Sequence, residues 1–205
     1  MTRESPPAAH FREAYQGQPP WDAGHAQRAL VRIAPRIQGS ILDVGCGTGD
    51  NVIFFSLRGH LVYGVDFVPE AIDRAKTKAA EQGSQACFLV MDALSLQELS
   101  LQFDNVIDCG LFHVLSDTDR VKYIQSLAGV LTPGGYLWLM CFSDKEPPGQ
   151  GPRRISPADL HAAFDQGWHL ESIDDVQFET ACNVPVGSFT AGGPRAYLAV
   201  VQRTG

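Results

Sequence analysis

The chain has 205 residues, of which 44% are hydrophobic and 19% charged, the usage of an ordinary globular protein with room for one substantial core. A formal net charge of −7 argues against a dedicated nucleic-acid binder, which presents a basic face. No apolar run approaches the roughly 18 residues that cross a bilayer, and the opening MTRESPPAAHFREAYQG lacks the apolar stretch of a secretory signal. Cys46, Cys87, Cys109, Cys141 and Cys182 are odd in number and form no CxxC pair. A disulfide framework and a metal site are therefore both unsupported. A reduced cytosolic protein, with no membrane attachment, is expected.

Before the first strand, Asp22 is placed to cap a helix reaching about Arg36. Ile41-Leu42-Asp43-Val44 reads as a buried strand, followed by a glycine-rich turn over 45–49 and a helix near 50–58. A second strand covers 61–65. The helix over 69–82 puts Ala71, Ile72, Ala75 and Ala79 on one face, with Pro69 in its first turn. Strands follow at 86–90 and 103–109. A helix over 118–131 repeats apolar residues at spacings of three and four, and Pro133-Gly134-Gly135 ends it before an apolar strand over 136–142. Residues 143–155 form a polar loop, 157–165 a helix, and two strands near 168–179 and 195–202 close the chain. This alternation is the pattern of an α/β fold with a largely parallel sheet.

Asp43-Val44-Gly45-Cys46-Gly47-Thr48-Gly49 carries the most chemistry. Three glycines at alternate positions between a strand and a helix bring bare backbone against a ligand at the carboxyl edge of the sheet. A dinucleotide site wants GxGxxG, but Asp50 occupies the position of its third glycine. Asp43 also puts negative charge where a pyrophosphate would rest. A ligand with an ammonium group and no phosphate suits the turn better. Asp66, at the end of the second strand, is placed either to accept from both ribose hydroxyls or to serve as an acid at the start of the next helix. Asp92 and Ala93, after the third strand, offer a carboxylate and a backbone N–H to an adenine edge, or simply form a surface turn.

ILDVGCGTG, GVDFVPEAI and VMDALSL resemble successive cofactor-binding motifs of the class I S-adenosylmethionine-dependent methyltransferases, and LTPGGYLWL resembles the turn into that family's fifth strand. Pro20-Trp21-Asp22-Ala23-Gly24 is similar to the lid of small-molecule members, including thiopurine- and tellurite-methyltransferase-like proteins. The resemblance implies a Rossmann-like sheet of seven strands, mostly parallel, with helices on both faces and an antiparallel last strand. It implies one domain over 1–205, with an N-terminal helical lid over 1–36 and a cofactor-binding core with C-terminal substrate-side strands over 37–205. Gly45, Gly47 and Gly49 would line the methionine moiety of S-adenosylmethionine, and Asp43 would help hold its ammonium group. Asp66 would take the ribose, Asp92 and Ala93 the adenine. Cys109 would offer its backbone carbonyl, and Trp21 would cover the cofactor or else anchor helix packing.

The expected reaction is in-line methyl transfer to an O, N or S atom of a small molecule, leaving S-adenosylhomocysteine, with catalysis by alignment and water exclusion. His113, beyond the fourth strand, is a candidate general base given the usual histidine pKa of about 6.5, or a packed histidine in a helical turn. The Asn/Asp-Pro-Pro-aromatic element of DNA amino-methylating enzymes is missing after the fourth strand, so no nucleic-acid partner is expected. Residues 143–155 and 186–189 are the expected specificity loops. Two rivals stay open: a non-catalytic S-adenosylmethionine sensor, and an NAD-dependent oxidoreductase.

Overall fold

The computed structural model describes residues 4–149 and 151–205. The first three residues of the proposed lid and Gln150 of the loop over 143–155 lie outside the described residues. Seven strands form one sheet in the order β3-β2-β1-β4-β5-β7-β6. They are β1 (Ile41–Val44), β2 (Val62–Asp66), β3 (Cys87–Val90), β4 (Phe103–Cys109), β5 (Leu131–Phe142), β6 (Trp168–Gln177) and β7 (Arg195–Arg203). β1 to β5 pair in parallel, and β7 inserts antiparallel between β5 and β6. The expected architecture, including the antiparallel last strand, is the observed one.

Among the described residues six α-helices accompany the sheet: α1 (Ala8–Ala14), α2 (Arg28–Ile33), α3 (Asp50–Ser56), α4 (Pro69–Glu81), α5 (Asp117–Val130) and α6 (Pro157–Ala163). The strands explain why helices cover both faces. Along β5, Leu137, Leu139 and Cys141 join a core with Tyr123 and Leu127 of α5 and Leu160 of α6. The alternate residues Trp138, Met140 and Phe142 join a second core with Val52 and Phe55 of α3 and Ile72 and Ala75 of α4. Side chains alternate across a pleated strand, so a continuous apolar run demands a packed layer on each side. Ser116 caps α5 by accepting from the Asp119 N–H, and Ser156 with Asp159 forms a capping box on α6.

Three local expectations are corrected. Asp22 caps no helix: α2 starts only at Arg28, behind a Gln27 whose side chain makes no cap. The Asp22 carboxylate instead accepts from the Gly24 N–H and the Thr48 hydroxyl. The strand expected to begin at Tyr136 begins at Leu131. Its pairing with β4 jumps from Phe103–Leu131 to Asn105–Tyr136, so Pro133-Gly134-Gly135 is a bulge within the strand. Finally, α1 and a short 3-10 segment over Ala93–Leu99 had no counterpart in the reading of the sequence. For α1 the signal was present: Phe11 and Tyr15, four apart, fall on one helical face.

Candidate functional site

β1 and β4 lie side by side at the centre of the sheet, and their carboxyl ends open between α3 and the segment after β4. This is the crevice in which α/β folds bind ligands. The glycine turn is held by N–H groups of Gly45 and Cys46, which donate to the Val65 carbonyl at 2.8 and 3.0 Å. Gly47 adopts φ 54°, a left-handed conformation that glycine takes without strain. Gly49 is also left-handed, at φ 83°, and a Cβ on it would come within 2.7 Å of Phe88. Gly49 therefore serves the packing of α3 onto β3 and α4.

Asp66 ties the turn to the second strand. One carboxylate oxygen accepts from the Gly47 N–H at 3.0 Å and the other from the Val68 N–H at 2.9 Å. Burial raises its pKa, and the N–H donors of Val68 and Gly47 oppose that shift. Each oxygen keeps a lone pair for a hydroxyl partner.

A cavity of about 800 Å³ opens above this turn. Gly45, Gly47, Asp66, Asp92, Ala93, Cys109, His113 and Trp21 all line it. Asp43 and Gly49 do not. Asp43 sits behind the turn, 1% exposed, with neither oxygen hydrogen-bonded. Burial, reinforced by the charges of Asp108 and Asp66, pushes its carboxyl up to about 8. Asp92 accepts from the Leu94 N–H at 2.9 Å and so caps the 3-10 segment.

The N-terminal segment roofs the cavity. Tyr15 is 4% exposed, and a Cβ on Gly47 would lie 2.7 Å from its hydroxyl oxygen. The Trp21 indole N–H donates to that oxygen at 3.0 Å, and Phe11 packs edge-on against both Trp21 and Phe67. The roof is fastened on two sides. Arg74 of α4 donates to the carbonyls of Tyr15 and Gly17 at 2.6 and 2.7 Å. On the other side, the Ala181 N–H donates to the Pro20 carbonyl at 3.0 Å. The Gln27 amide and the Glu179 backbone exchange two hydrogen bonds of 2.9 and 2.8 Å. Tyr15, like Phe142 and Phe178 of the same cavity, is a site residue that the sequence reading missed.

At the far end the wall turns aromatic. Phe142 ends β5, and Phe178 and Phe189 come from the connection between β6 and β7. Phe142 lies 5.4 Å from Phe178 and 5.7 Å from Phe189, between ring centroids. His113 stands edge-on to Phe142 and Phe178, at 5.1 and 5.8 Å. Its Nδ1 accepts from the Phe142 backbone N–H at 3.0 Å, which forces the ring proton onto Nε2. Burial, then the charges of Arg120 and Arg154, hold its pKa down to about 3. These surroundings favour the neutral ring, whose free edge is a donor, and fit the packed histidine of the two readings offered above.

This donor set fits a phosphate-free, cationic nucleoside. The unpartnered Asp43 carboxylate lies behind the glycine turn, Asp66 beside it, and among the described residues no Lys or Arg lines the cavity. The acidic groups oppose a pyrophosphate there.

Comparison with known proteins agrees. Residues 41–135 match the model of a methyltransferase domain family. The chain is 30% identical over 176 residues to the 2-heptyl-1-hydroxyquinolin-4(1H)-one methyltransferase of Mycobacteroides abscessus, spanning 80% of this chain and 78% of that protein. It is 32% identical over 118 residues to the tRNA 5-carboxymethoxyuridine methyltransferase of Escherichia coli, spanning 57% of this chain but 44% of that one. A solved structure concerned with conversion of a disulfide bond into a thioacetal group during echinomycin biosynthesis superposes with a TM-score of 0.85 at 31% identity. That match covers 96% of this chain and 92% of the other. Similarity along most of both chains, together with a cavity of this chemistry at the carboxyl ends of the strands, makes this protein a member of the class I S-adenosylmethionine-dependent methyltransferases, with S-adenosylmethionine as its cofactor.

Proposed function

We propose that this enzyme methylates an O, N or S atom of a small, flat, largely apolar acceptor. The observation that carries the reading is the aromatic end of the cavity, Phe142, Phe178 and Phe189, in a wall where no Lys or Arg stands among the described residues. A polyanionic substrate such as tRNA is held through basic side chains, and the net charge of −7 opposes it. The M. abscessus relative is named for a hydroxyquinolone, a ring system of the size and polarity this end would accept.

S-adenosylmethionine, when bound, would supply a methyl group on a sulfonium, to whose carbon the acceptor lone pair would bond as the carbon–sulfur bond breaks and S-adenosylhomocysteine leaves. The chain supplies position and dryness. Asp66 holds the ribose, and Asp92 with the Ala93 N–H addresses the adenine edge. Gly45 and Gly47 leave room for the methionine moiety, with the charge of Asp43 behind them and Cys109 beside them. Trp21 and Tyr15, as part of a lid formed by residues 1–36 over a core of 37–205, exclude water from above. Indole and phenol faces near a sulfonium add about 0.5 to 2 kcal/mol of cation–π attraction. A reducing cytosolic setting belongs to the same reading, supported by five free cysteines. Among the described residues no helix is long and apolar enough to cross a membrane.

The test is transfer of labelled methyl from S-adenosylmethionine in parallel reactions. One set contains 2-heptyl-1-hydroxyquinolin-4(1H)-one, phenols, thiophenols and heteroaromatic amines; the other contains bulk tRNA. Label in the organic extract is expected. Label in tRNA alone would overturn the acceptor class.

A further inference from the structure

We propose that His113 is a recognition donor: its Nε2–H binds a hydrogen-bond-accepting oxygen on the ring of the acceptor, beside the atom that is methylated. The proposal deepens the small-acceptor reading above and rests on it. Its footing is geometric. The Nδ1 lone pair is committed to the Phe142 backbone N–H, so the ring can present only a proton on its other edge. That edge has no hydrogen-bond partner among the described residues, on a side chain 6% exposed that lines the cavity. It faces the open side of Gly110, where an added Cβ would stand 3.5 Å from Nε2. The free Nε2–H thus opens onto the cavity, where an accepting oxygen of a ligand would complete its hydrogen bonding.

The surroundings define what that ligand is. Phe142 and Phe178 pack edge-on to the imidazole and line the same cavity, so the donor sits beside apolar faces suited to a flat ring. The charged groups facing His113 are Arg120 from α5 and Arg154 from the loop after β5, and both oppose its protonation. Arg120 is turned onto the Phe112 ring and the Phe112 carbonyl, and Arg154 onto the Phe142 ring and the carbonyls of Pro147 and Pro152. Neither lines the cavity. The acceptor is therefore read by one neutral donor, which favours a ring carrying a carbonyl or phenolate oxygen over a ring without one.

The experiment compares two acceptors, 2-heptyl-1-hydroxyquinolin-4(1H)-one and thiophenol, on the parent enzyme, His113→Leu and His113→Gln. Glutamine can accept from the Phe142 N–H and donate onward, but it cannot take a proton as a base. Expected is a rise of about 10- to 100-fold in the hydroxyquinolone KM for the leucine variant. Its thiophenol KM should change less than about threefold, and S-adenosylhomocysteine affinity should not change. The glutamine variant should restore the hydroxyquinolone KM to within about fivefold of the parent, and the parent kcat/KM should show no limb that glutamine abolishes between pH 5 and 8. A fall in kcat of about 100-fold in both variants at unchanged KM would make His113 a base and overturn the proposal. Equal effects on the two acceptors would also overturn it. If the leucine variant does not fold, judged by loss of S-adenosylhomocysteine binding, the glutamine variant and the pH profile decide in the same sense. Turnover of neither compound by the parent would sink the acceptor reading, and this proposal with it; turnover by the parent with an unaltered leucine variant sinks this proposal alone.

Discussion

The Tyr15 hydroxyl rests on Gly47, its oxygen 2.7 Å from the point a Cβ on that glycine would occupy. The contact joins the roof of the cavity to its floor. It makes the glycine necessary twice, for the left-handed turn and for the close approach of the phenol. Gly47→Ala is expected to displace Tyr15 and to strain the turn by about 1 to 3 kcal/mol. Calorimetry should show S-adenosylhomocysteine binding weakened by about ten-fold or more. Unchanged affinity would mean that Tyr15 does not close on the cofactor.

Asp66 bonds two backbone N–H groups and also faces the cavity. Asp66→Ala should therefore cost both affinity and stability. Losing charge-assisted hydrogen bonds to a ribose weakens cofactor binding by about ten- to hundred-fold, and stranding the N–H groups of Gly47 and Val68 lowers Tm. Asp66→Asn keeps one acceptor oxygen and should recover part of the Tm without recovering affinity. Parallel recovery of both would remove the ribose role.

Asp43 makes stability depend on pH in an unusual direction. Its carboxyl ionises near 3.8 when exposed and is pushed up to about 8 in the fold. Between those values the folded protein keeps a proton that the unfolded chain has released, so the group's contribution falls as pH rises from about 4 to about 8 and is flat above. The Tm of Asp43→Asn relative to the parent should rise across that window. A cofactor ammonium favours the ionised form, so binding of S-adenosylhomocysteine at pH 7 should release a proton from the parent and fewer from the asparagine variant. Titrations in two buffers of different ionisation enthalpy measure this directly.

The clasp of Arg74 on the carbonyls of Tyr15 and Gly17 predicts how the lid moves. Hydrogen exchange over residues 10–25 should slow when S-adenosylhomocysteine is added. Arg74→Ala should speed exchange there in the free enzyme, since each lost bond is worth about 0.5 to 1.5 kcal/mol. Trp21→Ala should lower turnover more than it lowers cofactor affinity. Full activity in Trp21→Ala, with exchange unaffected by ligand, would reduce the segment to packing.

Much of this was legible in the chain itself. β1, α4 and β4 announce themselves because their burial follows local periodicity, and the glycines and acids at strand ends are local features of a turn. Gly45, Gly47, Asp66, Asp92 and Ala93 could be placed at the cavity for that reason, and Cys109 through the family resemblance. What depended on contacts far apart in sequence could not be read. Gly49 belongs to packing because Phe88 and Ala75 come to meet it. Asp43 stands behind the wall because the turn closes over it. Tyr15 becomes a site residue only when the end of α1 comes over the glycine turn to reach Gly47. The state of His113 rests on a backbone N–H 29 positions away. A hydrogen bond of that kind has no trace in the residues around the histidine, so only the folded chain decides whether the ring takes a proton or offers one.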